Sequence, residues 1–237
     1  MKSILSIGGL GIDKKDRVLV FMPHPDDEAV FMSGFLKKIT ANAVETRVVI
    51  FTAGEKSTLR YGLSPDEDLA KARRKELLNS FRILGVKNFE VLSFPDGDLK
   101  NKKPEMEIEI QKQILDFKPT HVVTLEPDGV YGHPDHISLS EAVSAVVKKP
   151  IRLLYTTIGE YKVKPKASSM AEREIHPLKP DYGLRLGLRE RLTKLKSLRA
   201  HKSQFNISQT KPNDFNFFKV NNMLNYEYFV YRDKKVG

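Results

Sequence analysis

A chain of 237 residues with 40% hydrophobic and 30% charged content can bury one sizeable α/β core. It is too short for two comfortable domains, and it holds no run of about 18 apolar residues that could span a bilayer. Zero Cys excludes disulfides and thiolate metal ligands, so any metal must be held by His and carboxylate. The net charge of +10 lies late in the chain: residues 1–147 carry 20 basic and 22 acidic side chains, residues 148–237 carry 20 and 8.

The N-terminus, MKSILSIGGLGIDKKD, lacks a long apolar h-region and a small-x-small cleavage site. With the missing cysteines, this sets the expectation of a cytoplasmic protein. GGLG at 8–11 completes no GxGxxG and follows no strand, so it is not a dinucleotide fingerprint. From there strands and helices alternate. RVLVFMP (17–23) is an apolar strand, DEAVFMSGFLKKI (27–39) a helix, and ETRVVIFTAG (45–54) a strand that stops at Gly. DEDLAKARRKELLNSFRILG (66–85) is a helix with Gly85 as its stop, and FEVLSF (89–94) is the next strand. EMEIEIQKQILDF (105–117), HVVTLEP (121–127), HISLSEAVSAVV (136–147) and IRLLYTTI (151–158) continue as helix, strand, helix, strand. Residues 159–183 are expected to form a long loop, LRLGLRERLTKLKSLRAHKSQF (184–205) a basic amphipathic helix, and YEYFVYR (226–232) a late strand.

Such alternation predicts an α/β, Rossmann-like single domain over 1–237 with a mostly parallel sheet flanked by helices. Residues 1–158 form its core, and 159–237 a basic extension that completes it. Such sheets place their sites beyond the carboxyl ends of strands. Two acid-rich His clusters lie at such ends: PHPDDE (23–28), and EPDGVYGHPDH (126–136) after the strand at 121. Acids in a first helical turn complement the helix dipole, but that does not account for His24.

His24 and Asp27 are three apart at a loop-to-helix junction, and so are His133 and His136, with Pro134 suited to a first helical position. A catalytic zinc takes three His or carboxylate ligands and keeps one position open. His24, Asp27 and His136 make such a set, and Asp26 is the nearby carboxylate to take a proton from water.

These residues resemble the LmbE/PIG-L-type N-acetylglucosamine deacetylases, whose signature is P/A-HPDDE after the first strand and a later GHPDH. FTAGE (51–55), LAKARRKE (69–76), LGV…FPDG (84–97) and RAHKSQF (199–205) extend the likeness, which runs from about residue 17 to 205. The resemblance implies that His24, Asp27 and His136 are the metal ligands and Asp26 the general base. It further implies that His133 polarises the substrate carbonyl and stabilises the oxyanion, with Asp135 orienting it and raising its pKa. Arg73, matching the family's R-x-x-E arginine, would hold sugar hydroxyls or a phosphate, or lie on a solvated helix face.

Tyr131 donates to the oxyanion or packs in its loop, and Glu55 and Asp96 bind sugar hydroxyls or act as turn residues. Glu28 supports the ligands or is a first-turn acid, and His121 is structural. His176 has no assigned place, and His201 supports the site from the C-terminal helix.

The expectation is a hydrolase that removes acetyl from an N-acetylglucosamine-type conjugate. Zn2+ is the expected metal, with Fe2+, Co2+ or Mn2+ compatible with the same ligands. Its partner is a small N-acetylated amino sugar or glycoconjugate, an anionic one being hinted at by the basic tail; homo-oligomerisation is left open. The alternative is an inactive homologue that binds an anionic ligand, nucleic acid or membrane surface through the basic C-terminal part. No aromatic-interleaved basic motif accompanies that charge, so no specific nucleic-acid partner is expected.

Overall fold

The computed structural model describes residues 1–159, 175–205 and 222–232. In chain order the elements are β1 (Lys2–Ile4), β2 (Arg17–Met22), α1 (Asp27–Phe31), α2 (Ser33–Ala41), β3 (Glu45–Thr52), α3 (Leu69–Leu84) and β4 (Asn88–Phe94). There follow α4 (Lys103–Phe117), β5 (His121–Leu125), the single turn α5 (Gly129–Gly132), α6 (Pro134–Val146), β6 (Arg152–Thr157), β7 (Tyr182–Arg185), α7 (Leu188–Ala200) and β8 (Tyr226–Tyr231). One sheet joins the strands in the order β1-β7-β8-β6-β5-β2-β3-β4. All neighbouring pairs are parallel except those made by β8, which runs antiparallel to β6 and β7.

The continuous apolar runs of the central strands follow from burial on both faces. In β2, Val18, Val20 and Met22 enter one core with Phe31, Phe35, Ile39, Leu77 and Phe81 from α1, α2 and α3. Leu19 and Phe21 point the other way, to Met106, Ile110, Leu139 and Val143 of α4 and α6. Each such side chain, withdrawn from water, contributes about 1.5–3 kcal/mol before ordering costs. From β2 the chain steps outward through β3 to β4, then returns to the opposite side of β2 to lay down β5. That reversal opens a crevice beyond the carboxyl ends of β2 and β5, and both His clusters emerge there.

Three expectations need correction. The helix over 27–39 breaks at Met32 (φ −147°, ψ 20°) into α1 and α2. The new N-terminus is capped by the buried Glu227 carboxylate of β8, which accepts from Gly34 N–H (2.9 Å) and Phe35 N–H (2.7 Å). The predicted 184–205 helix begins only at Leu188, because Tyr182–Arg185 form β7, whose Leu184 pairs with Ile4 and Glu227. Gly187 separates the two elements, its N–H donating to Glu190 at 2.8 Å to start α7. The same strand corrects the loop expected over 159–183, of which residues 160–174 lie outside the described residues. Among the described residues no helix is long and apolar enough to cross a membrane.

Candidate active site

Pro23 to Pro25 carry the chain from β2 into α1, and Asp27 on α1 folds back so that its Oδ2 accepts the His24 backbone N–H at 3.0 Å. The acids therefore do not serve as helix caps: Asp26, at the cap position of α1, makes no side-chain cap hydrogen bond. Asp27 also lies 3.4 Å from Nδ1 of His24 and 3.3 Å from Nε2 of His136. The outer nitrogens of both rings are engaged elsewhere. Nε2 of His24 is 3.1 Å from carboxylate oxygens of both Asp96 and Asp135, and Nδ1 of His136 is 3.2 Å from the Gly129 carbonyl oxygen. A metal-binding His commonly donates its other N–H in this way. Among the described residues, Nε2 of His136 is buried without a hydrogen-bond partner. A buried ring nitrogen with a free lone pair, next to a carboxylate and a second imidazole, suits a divalent metal of the zinc type.

Burial disfavours charge throughout this cluster, so partners decide each group. Burial pushes His136 down to about 3, keeping it neutral and able to ligate. Burial would raise Asp27, but the His136 and His24 imidazoles outweigh it and pull it down. For His24, burial is outweighed by the hydrogen bonds its ring donates to the carboxylates of Asp135, Asp27 and Asp96, which raise it well above the usual imidazole range.

Asp26, His133 and Tyr131 keep partial exposure beside these buried groups. Asp26 sits at φ 116°, a region that costs a non-glycine residue about 1–3 kcal/mol. Arg73 on α3 donates to its Oδ2 at 3.0 Å and also to the Pro25 carbonyl. Burial raises Asp26 to about 6 against the pull of Arg73, a value suited to a general base near neutral pH. The His133 ring centroid lies 4.8 Å from those of both His24 and His136. Its Nδ1 accepts the Asp135 backbone N–H at 3.2 Å, which leaves Nε2–H to donate into the crevice. Tyr131 stands edge-on to His136 at 5.1 Å and to His133 at 6.1 Å.

Several expected roles change. The Asp135 carboxylate engages His24 and the N–H groups of Gly97 (2.7 Å) and Leu99 (3.1 Å), while His133 meets the Asp135 backbone N–H. His133 is correspondingly lowered, by burial and by the charge of His24, rather than raised. Arg73 is only 3% exposed and donates to the Gly54 and Pro25 carbonyls and the Asp26 carboxylate. It reaches there because Gly54 (φ 69°) has no Cβ, which would stand 2.0 Å from Nη1 of Arg73. Asp96 turns inward to His24 and is lowered to about 2, the hydrogen bond and charge of His24 outweighing burial. Glu55 is exposed and accepts the Asp96 N–H at 2.9 Å.

His121 is buried against Thr120 and Asp16 at the other end of β5. His176, exposed, donates its backbone N–H to Asp128 at 2.6 Å. His201 is buried against Glu28. Glu126 escaped the sequence reading. Fully buried, it accepts from the N–H groups of Val130 (2.6 Å) and Leu178 (3.3 Å) and so ties the His133 loop to the segment at 178. An acid directly before Pro-Asp-Gly at a strand end was its only signal.

The family described as "PIG-L: GlcNAc-PI de-N-acetylase" matches residues 19–147 of the chain. A Bacillus anthracis protein named "Probable N-acetyl-alpha-D-glucosaminyl L-malate deacetylase 2" is 30% identical over 200 residues, covering 82% of this chain and 84% of its own. A "1D-myo-inositol 2-acetamido-2-deoxy-alpha-D-glucopyranoside deacetylase" of Corynebacterium glutamicum is 28% identical over 230 residues, covering 83% and 79%. Among solved structures, the N,N'-diacetylchitobiose deacetylase of Pyrococcus horikoshii superposes with a TM-score of 0.69 at 23% identity, over 95% of this chain and 89% of the other.

Proposed function

Because the chain belongs to the PIG-L family of GlcNAc-PI de-N-acetylases, we propose that it is a metal-dependent hydrolase acting on an N-acetylglucosamine-type conjugate. It adds water across the acetamide C–N bond and releases acetate and the free amino sugar. The observation that carries this reading is the position of Asp27, whose two carboxylate oxygens lie 3.4 Å from Nδ1 of His24 and 3.3 Å from the buried Nε2 of His136. These three residues would hold the ion, zinc being the best match to two imidazoles and a carboxylate. When bound there, a divalent ion polarises the amide carbonyl and makes water more acidic.

Asp26 takes the proton from the attacking water, since it is the one carboxylate of the cluster raised toward neutrality and facing the open side. His133 donates from Nε2 to the oxygen on which negative charge develops. The proton held by Asp26 then passes to the departing nitrogen, so that the amine leaves neutral and Asp26 returns to its ionised form. The whole chain acts as one domain on this reading, because β7 and β8 complete the same sheet and α7 abuts α1.

Acetate release from N-acetylglucosaminyl malate, N-acetylglucosaminyl inositol and diacetylchitobiose tests the assignment, with zinc-reconstituted wild type beside Asp26→Ala and His133→Ala. Release by wild type, lost in both variants at unchanged metal content, supports it. Absence of release from every substrate at stoichiometric metal overturns it.

A further inference from the structure

Asp26 carries its charge on a backbone that its own chemistry does not favour. At φ 116° and ψ −26° it occupies a region L side chains rarely adopt, so surrounding groups must hold it there. Arg73 holds the carboxylate and the preceding carbonyl. The Asp26 N–H donates to Oε2 of Glu28 at 2.9 Å. The other oxygen of Glu28 receives Nε2 of His201 at 2.7 Å and Oγ of Ser80 at 2.6 Å, and Ser80 in turn meets Ser197 at 2.6 Å. Glu28, Ser80, Ser197 and His201 are each 0% exposed.

The network therefore ties α1 to α3 and to the C-terminal end of α7, 173 residues along the chain from Glu28. Among the described residues Glu28 makes no hydrogen bond to His24, Asp27 or His136. Among the described residues, its side chain reaches the crevice by the hydrogen bond from the Asp26 N–H. A first-turn acid serving the helix dipole would need neither a buried His partner nor a bond to a strained residue.

We propose that Glu28, itself held by His201 and Ser80, is a positioning residue that clamps the Asp26 peptide in its left-handed conformation, aiming the base carboxylate at the His24, Asp27 and His136 cluster. The clamp deepens the hydrolase reading and rests on it for its catalytic consequence. Its structural content stands apart from activity. The C-terminal helix thereby becomes part of the catalytic apparatus, because its last turn delivers His201 to the carboxylate that holds the base.

A double-mutant cycle with an exchange measurement tests this. Glu28→Met keeps the volume and removes the acceptor, while Glu28→Gln keeps an oxygen for the Asp26 N–H. In zinc-loaded protein, Glu28→Met is expected to lower kcat by about 10-fold or more with KM within about twofold and metal content unchanged, and Glu28→Gln to recover most of the loss. Introduced on top of Asp26→Ala, Glu28→Met is expected to cost less than about twofold further, the non-additivity of residues acting as one unit. Amide hydrogen exchange at residue 26 is expected to accelerate by about 10-fold or more in Glu28→Met but not in Glu28→Gln.

Unchanged exchange, or an equal loss of kcat in both backgrounds, overturns the clamp. If wild type releases no acetate while exchange responds as expected, the clamp stands and the hydrolase reading falls. If Glu28→Met does not fold, Glu28→Ala enters the same cycle. Failure of both to fold while Glu28→Gln is indistinguishable from wild type in Tm assigns Glu28 to stability and overturns the positioning role.

Discussion

The carboxylate of Asp135 lies 3.1 Å from Nε2 of His24, and only the backbone N–H of Asp135 reaches His133. One residue of the GHPDH segment thus holds His24, the ligand we propose from the other cluster. Removing a group that orients a metal-binding His costs about 10–100-fold in metal affinity. Asp135→Ala is therefore expected to weaken zinc binding by that order, measured by competition with a chelator. Unchanged affinity with a fall confined to turnover would return Asp135 to the service of His133.

Arg73 contacts Asp26, the proposed base. Its guanidinium donates to Gly54, Pro25 and Asp26, and a charge-assisted hydrogen bond of this kind is worth about 1.5–3 kcal/mol. Arg73→Lys, which keeps the charge and loses the fork, is expected to lower kcat by roughly 10- to 100-fold with little change in KM. Steady-state kinetics on the best substrate of the panel decides the matter. A raised KM at constant kcat would place Arg73 on the sugar after all.

Glu126 links stability to pH. Burial raises it from 4.5 to about 7, even though the N–H groups of Val130, Leu178 and Asp128 favour its charge. Its folded pKa exceeds its unfolded one, so the folded state binds its proton more tightly. The associated stability is present below about 4.5 and is lost as pH rises to about 7. That span corresponds to an effect on the order of 3 kcal/mol. Glu126→Gln does not titrate, so the stability of the variant relative to wild type is expected to be greater at pH 8 than at pH 5. Urea unfolding of both proteins at the two pH values measures it, and a pH-independent difference would show that Glu126 titrates elsewhere.

Lys194 on α7 and Glu227 on β8 form an ion pair of 2.9 Å with both side chains fully buried. Glu227 also caps α2, and Lys194→Met leaves this buried carboxylate without its counter-ion. Breaking such a pair from one side costs about 3–5 kcal/mol, and a corresponding fall in Tm is expected by calorimetry. Lys194→Met combined with Glu227→Gln should recover part of the loss, because the stranded charge is then gone.

The sequence by itself determined what local chemistry can express. Apolar runs ending in Pro or Gly marked β2 and β3, and Gly85 closed α3 where the left-handed conformation (φ 83°) needs it. The PHPDDE and GHPDH segments named His24, Asp27 and His136, which the fold brings together, because ligand spacing and strand ends are local properties. Only the tertiary structure decided which way each remaining polar group faces. Arg73, Asp96 and Asp135 have side chains that serve a sugar and a neighbouring residue equally well, and each turned inward to a buried partner, Pro25 or His24, 48 to 111 residues away. β7, the break at Met32 and the buried Glu227 share that origin. Each is stabilised by contacts distant in sequence, which leave no periodicity to read.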